Sequence, residues 1–224
     1  MIVAIHQPNF LPWCGFFAKM AAADVFILLD DAQISKPSYV TRTSIRTGGQ
    51  AKWLTLPANT AGAPPIREVT FAREASSDNH LKRFSQDYAK APAFAEIMPQ
   101  LEEAYDDLGE TVCDFNIRLL EMARRCLGVS TPMVRASDFA LADVGGDRLI
   151  KLVKAVGGTT YLSGKGGENY QDPAKFDAAG IALDVRAYSP VPYEAGRFDF
   201  IPGLSIIDAL FVKGADARAL LSYP

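Results

Sequence analysis

The chain is short of the residues that build metal sites and disulfides. Its 224 residues hold two histidines, His6 and His80, and three cysteines, Cys14, Cys113 and Cys126. An odd number of scattered cysteines gives neither a disulfide framework nor a Cys-x-x-Cys clamp, and two isolated histidines add no ligand spacing, so no metal and no cofactor are expected. Long apolar runs are missing too: none approaches the roughly 20 residues of a bilayer span. No lysine or arginine precedes the first apolar residues, as a secretory leader would require, so a soluble, cytoplasmic protein without a membrane span is expected. Basic character is equally lacking. With 23 Lys and Arg against 26 Asp and Glu, the net charge is -3, and without a basic stripe no nucleic-acid partner is expected. There is no Gly-x-Ser-x-Gly elbow, no internal repeat and no low-complexity segment.

What the chain does hold is a core. Hydrophobic residues make up 49% of it, enough for one sizeable domain over residues 1–224. Ile2-Val3-Ala4-Ile5 is short, apolar and mostly β-branched, and Pro8 and Pro12 stop it continuing as strand or helix. Residues 15–23 read as a short helix, and Val25-Phe26-Ile27-Leu28-Leu29 as a second strand, which predicts a βαβ unit with a parallel pair. Residues 38–45, 52–56 and 66–71 read as short strands around Gly48-Gly49 and Gly62-Ala63-Pro64-Pro65, an antiparallel insertion within residues 37–75. Residues 78–127 read as helical. Val112, Phe115, Leu119, Met122 and Cys126 recur there at core-facing spacing, and His80 reads as a surface residue. Strands at 132–136, 159–163 and 181–188, a helix at 143–156 and a last helix at 205–212 complete the pattern. That last helix has Ser205 as N-cap and Asp208 as the acid of a capping-box-like start. The fold class is α/β: a mostly parallel, Rossmann-like sheet with an antiparallel β insertion and a helical middle segment.

Three groups could carry chemistry. His6 and Gln7, Asp30 and Asp31, Asp138 and Ser163 all follow predicted strands, at the sheet edge where α/β proteins bind ligands. Imidazole titrates near neutrality, so His6 as general base, with Asp30 or Asp31 to orient it, is the minimum for proton transfer. The acids read equally well as the polar end of a strand. The second group is Ser163-Gly164-Lys165-Gly166-Gly167 through Tyr170, where glycines let backbone amides approach an anion and Lys165 can neutralise it. The spacing is neither Walker nor dinucleotide-binding, and a plain connector is the competing reading. The third is Lys36 to Arg46, in which Arg42 can clamp a phosphate or carboxylate and Tyr39 can stack on a sugar or base. An exposed strand has the same composition. Cys14, near His6 in sequence, raises the idea of a Cys-His acyl transfer.

The stretch His6-Gln7-Pro8-Asn9-Phe10-Leu11-Pro12-Trp13 with Gly15 and Lys19, then Asp24-Val25-Phe26 and Leu29-Asp30-Asp31-Ala32-Gln33, resembles the opening signature of the WbqC-like protein family. The resemblance continues through Arg42, Trp53-Leu54-Thr55-Leu56-Pro57, Tyr161-Leu162-Ser163-Gly164, Tyr170 and Leu204-Ser205-Ile206-Ile207-Asp208. It departs at Thr41-Arg42-Thr43, where the family carries an Asn-Arg-Asn-type segment, and at Cys14, where an apolar residue is usual. The resemblance implies a role in bacterial surface-polysaccharide (O-antigen) biosynthesis. The expectation is a transferase of an acyl or aminoacyl group to an amino sugar, with a sugar nucleotide or acyl donor as small-molecule partner. It also implies Lys19 and Arg42 as substrate-binding residues. A nucleotidyltransferase-like enzyme and a non-catalytic binding module are the alternatives.

Overall fold

The computed structural model describes residues 1–72, 77–196 and 199–223, with backbone alone at residues 77, 78 and 168–170. Its five-stranded sheet is wholly parallel, built from β1 (Ile2–His6), β2 (Val25–Leu28), β5 (Met133–Arg135), β6 (Thr160–Gly164) and β7 (Ala182–Arg186) in the order β5-β2-β1-β6-β7. Counted among themselves, these strands run 3-2-1-4-5, the order of a Rossmann-type sheet. The chain leaves β1 toward β2 and β5 on one side, then crosses to β6 and β7 on the other. The switch point therefore lies between β1 and β6.

Both faces of the sheet's centre are covered, which is why β1 and β2 read as continuous apolar runs. Ala4, Phe26, Leu28 and Leu162 join a core with Phe16, Phe17 and Met20 of α1 (Cys14–Ala21). Val3, Ile5, Ile27 and Tyr161 face the other way, onto Leu152 and Val153 of α5 (Gly145–Ala155) and Phe176 of α6 (Pro173–Ala178). The larger core continues into the helical middle segment, α2 (Ser77–Tyr88), α3 (Phe94–Tyr105) and α4 (Val112–Cys126), and into α7 (Ile206–Lys213).

The insertion is an antiparallel hairpin, β3 (Arg42–Thr47) and β4 (Gln50–Thr55), turned at Gly48 and Gly49, both at positive φ. Such a two-residue turn matches the strand twist and favours glycine. Residues 66–71 are not a third strand: Ile66–Glu68 is a 3-10 turn, and Thr70 and Phe71 make only isolated bridges. Ile66 and Val69 are both fully buried, a spacing of three that suits a turn and not a pleat.

Two polar residues sit deeper than their local patterns suggest. His80 is buried on α2, its Nε2 3.1 Å from the Thr55 carbonyl and its Nδ1 3.1 Å from the Tyr105 hydroxyl. A carbonyl only accepts, so Nε2 carries the hydrogen and Nδ1 receives the Tyr105 O–H. Burial holds the ring below its usual pKa. Asp208 does not close a capping box. Ser205 caps α7 by accepting from the Ile207 N–H at 3.3 Å, while Asp208, fully buried, takes Arg46 Nε at 3.1 Å, the Tyr88 hydroxyl at 2.9 Å and the Tyr193 hydroxyl. A charge from β3, 162 residues away, outcompetes the local motif.

Candidate functional site

The site begins where β1 stops. After His6 the chain makes an irregular turn that is over-determined by long-range bonds. Asn116 Nδ2 of α4 donates to the Pro8 and Val40 carbonyls, each at 2.8 Å. Leu11, buried at φ 39, has its carbonyl held by Thr43 Oγ1 at 2.9 Å and Ser205 Oγ at 2.7 Å. A left-handed conformation at leucine persists only when its surroundings enforce it, and such positions gather at functional sites. The turn delivers Trp13, whose indole lies over the first turn of α1. A Cβ at Gly15 would sit 2.5 Å from that ring, so only glycine permits the approach.

A cavity of about 500 Å³ opens at the switch point, between the carboxyl ends of β1 and β6. His6, Gln7 and Lys19 line it from the β1–α1 side; Ser163, Gly164 and Lys165 line it from β6 and the 3-10 turn after it. Six residues singled out in the sequence thus share one cavity.

Lys19 sets its electrostatics. Its side chain is buried, Nζ donates to the Ile5 carbonyl at 2.8 Å and lies 5.9 Å from the centre of the Tyr161 ring. Among the described residues no carboxylate pairs with it. Burial lowers its pKa to about 8, so it stays mostly protonated at neutrality, a buried cation with two N–H donors to spare. His6 is lowered further, to about 3, by burial first and the Lys19 charge second, with the Gln7 carbonyl acting the other way. That carbonyl lies 3.2 Å from Nδ1. It can only accept, so Nδ1 carries the hydrogen and Nε2 keeps its lone pair. The ring is wedged edge-on against Phe16 at 4.9 Å. On the far wall Ser163 Oγ accepts from Gln171 Nε2 and donates to the Gly164 carbonyl at 3.1 Å, while the buried Gln171 Oε1 has no partner.

The acids are elsewhere. Asp30, fully buried, accepts from Ser137 N at 3.0 Å and Ser137 Oγ at 2.7 Å; Asp31 is ion-paired to Arg148 of α5. Both serve the β2–β5 side of the sheet and neither lines the cavity, so His6 has a carbonyl to orient it where a carboxylate was expected. Asp138 lies in the 3-10 turn Ala136–Phe139 beside them. Arg42 stacks on Trp53 in the hairpin, also outside the cavity. The Tyr170 side chain lies outside the described residues. Burial pushes the half-buried Cys14 thiol up to about 11, which keeps it protonated and argues against a nucleophile.

Sequence reading missed the rim. Trp13, Arg186, Tyr188 and Tyr223 also line the cavity. Trp13 packs edge-on to Tyr188 at 5.2 Å, Tyr188 to Tyr223 at 6.2 Å, and Arg186 lies 5.5 Å from the Tyr223 ring while bonded to Asp184. Arg186 and Tyr188 looked like ordinary members of a strand; only the pairing of β7 with β6 reveals that they end at the cavity. The mouth is therefore aromatic and the floor cationic, with polar donors on both walls. Such a site suits a ligand with an anionic group and a flat or ring-shaped one. Among the described residues, no three His, Cys, Asp or Glu side chains converge as metal ligands, and no helix is long and apolar enough to cross a membrane.

Comparison with known proteins covers nearly the whole chain. An uncharacterized protein of Mycobacterium tuberculosis is 33% identical over 227 residues, covering 99% of this chain and 97% of that protein. No solved structure matches significantly. The model of the WbqC-like protein family matches residues 7–220, from the turn that follows His6 to the last 3-10 segment, and the chain belongs to that family.

Proposed function

We propose that the chain is a transferase of bacterial surface-polysaccharide biosynthesis, moving an acyl or aminoacyl group onto the amine of an amino sugar, with the cavity between β1 and β6 as its active site. The observation that carries this reading is Lys19, a buried cation without an acidic partner among the described residues, facing a cavity with an aromatic mouth. A buried charge is costly unless something compensates it, and the diphosphate of a nucleotide-linked sugar would. Lys165 adds charge at the glycine-rich turn, and Trp13 and Tyr188 offer faces for a sugar or base. His6, neutral at pH 7 with its Nε2 lone pair free, is the proton acceptor. As the sugar amine attacks the acyl carbon, a C–N bond forms, the bond to the carrier breaks with its electron pair leaving on the carrier, and the amine proton passes to His6. An anion bound on Lys19 removes the second cause of the low His6 pKa and makes the ring a better base when substrate is present.

One observation favours a second reading. The 3-2-1-4-5 strand order binds nucleotides at this switch point in many proteins, which would suit nucleotidyl transfer. Calorimetric titration of nucleotide-linked amino sugars, acyl-CoA thioesters and nucleoside triphosphates into wild type and Lys19→Met, with mass spectrometry of products from wild type and His6→Ala, separates the readings. Acylated amino sugar made by wild type and not by His6→Ala supports acyl transfer. Pyrophosphate release from a triphosphate supports nucleotidyl transfer, and a ligand bound tightly but returned intact supports a binding module. If no compound in the panel binds the wild type, the cavity is not a small-anion site.

A further inference from the structure

The hairpin and the residues just before it hold a cluster of side chains that does not line the cavity. Tyr39 and Trp53 are 61% and 48% exposed, unusual for rings of that size, and lie 6.1 Å apart at 53°. The Arg42 guanidinium sits 4.3 Å from the centre of the Trp53 ring. Its Nε is buried without a hydrogen-bond partner, and among the described residues Arg42 has no ion pair. The surrounding charge is one-sided. From Ala32 to Arg67 the sequence holds Lys36, Arg42, Arg46, Lys52 and Arg67 and no aspartate or glutamate, in a chain whose net charge is -3. Arg46 is paired with Asp208 and Arg67 with Glu68, while Arg42 lies against the Trp53 ring.

We propose that Tyr39, Arg42 and Trp53 form a binding site for an acidic saccharide, the rings stacking on pyranose faces and Arg42 taking a carboxylate or phosphate on the sugar. Aromatic faces match the C–H-rich faces of sugars, and a planar guanidinium already aligned by an indole donates to a carboxylate with little ordering cost. A saccharide fits better than a nucleic acid because one ring-stacked cation is too few for a phosphate track, and the chain as a whole carries a net charge of -3. The site stands independently of any reaction in the cavity.

The two tryptophans make the test clean, since Trp13 reports on the cavity and Trp53 on the hairpin. In a Trp13→Phe background, oligogalacturonate is titrated while Trp53 emission is followed, against a neutral oligosaccharide of equal length and a single-stranded RNA. The expected result is a saturable Trp53 change with oligogalacturonate. Affinity should weaken about tenfold in Arg42→Met and about fivefold or more in Tyr39→Ala, the loss of one charge-assisted bond and one stacked ring, and stay unchanged in Lys19→Met. Melting temperatures and circular dichroism confirm that each variant is folded. No Trp53 response, equal binding of the neutral oligosaccharide, or full affinity in a folded Arg42→Met overturns the proposal. Tighter, steeply salt-dependent binding of the RNA also overturns it, in favour of a nucleic-acid surface.

Discussion

Acidification from pH 7 to pH 5 should destabilise this protein through one ring. In the unfolded chain His6 titrates near its ordinary 6.5, whereas in the fold it is held at about 3. Below pH 6.5 the unfolded state therefore binds a proton that the folded state refuses, and stability falls as pH drops, levelling only near pH 3. At pH 5 the interval from 6.5 corresponds to roughly 2 kcal/mol, and the full depression to between about 4 and 5 kcal/mol. His80, also lowered, adds a loss of the same sign. The carboxylates held below their ordinary value, Asp107, Asp114 and Asp143, contribute stability that is lost only at lower pH, so the window between pH 6.5 and pH 5 belongs to the histidines. Urea unfolding of wild type and His6→Gln at pH 7 and pH 5 measures the term directly. Wild type should lose about 2 kcal/mol more than the variant over that interval. If His6→Gln loses as much as wild type, or if the His6 ring is seen by NMR to protonate near pH 6.5 in the folded protein, the desolvated site described above is wrong.

Lys19→Met should make the ligand-free protein more stable. The Lys19 pKa is lowered from 10.5 to about 8, so at neutral pH its charge costs about 3 kcal/mol; loss of the bond to Ile5 returns about 1, and a net gain on the order of 2 kcal/mol should raise Tm by about 4 to 8 °C. A fall in Tm would show that Lys19 is a structural tie and not a residue kept for a ligand. Asp208→Ala removes the carboxylate that the buried Arg46 guanidinium and two tyrosine hydroxyls share, and should cost about 3 to 5 kcal/mol in urea unfolding; a cost below 1 kcal/mol would mean that the network is solvated. Gly167→Ala places a Cβ 2.1 Å from Gln171 Nε2 and 2.7 Å from Ser163 Oγ. Both are movable side-chain ends, so stability should change by less than about 1 kcal/mol while affinity for the cavity ligand falls; unchanged affinity would remove the Ser163 wall from the site.

The centre of the sheet was legible because β1 and β2 are buried on both faces and so appear as unbroken apolar runs between breakers. The site was half legible for a related reason. In a parallel sheet all carboxyl ends share one edge, so polar residues after strands tend to gather there, and His6, Gln7 and Ser163 did. The same rule misplaced Asp30 and Asp31. An edge is long, and Ser137 and Arg148, whose partners no single sequence reveals, hold these acids two strands away from β6. Asp208 and His80 failed differently: local spacing described their helices correctly, but their partners, Arg46, Thr55 and Tyr105, come from other elements. Arg186 was hidden by ending a strand, and Tyr188 by following it within a stretch that reads as strand.

The central position of β1 also bears on how the molecule is made. The β1–α1–β2 unit closes within the first 28 residues, yet β1 meets its other neighbour only across a register of Ile2 with Thr160 and Ala4 with Leu162. Closing so long a loop carries an entropic cost that must be met before any contact rewards it, and pairings of this kind form late. The cavity exists only once that seam is sealed, because one wall belongs to each side of it. A ligand bridging Lys19 and Ser163 would act as a clasp across the last seam to close and the first to open, slowing unfolding more than it speeds folding.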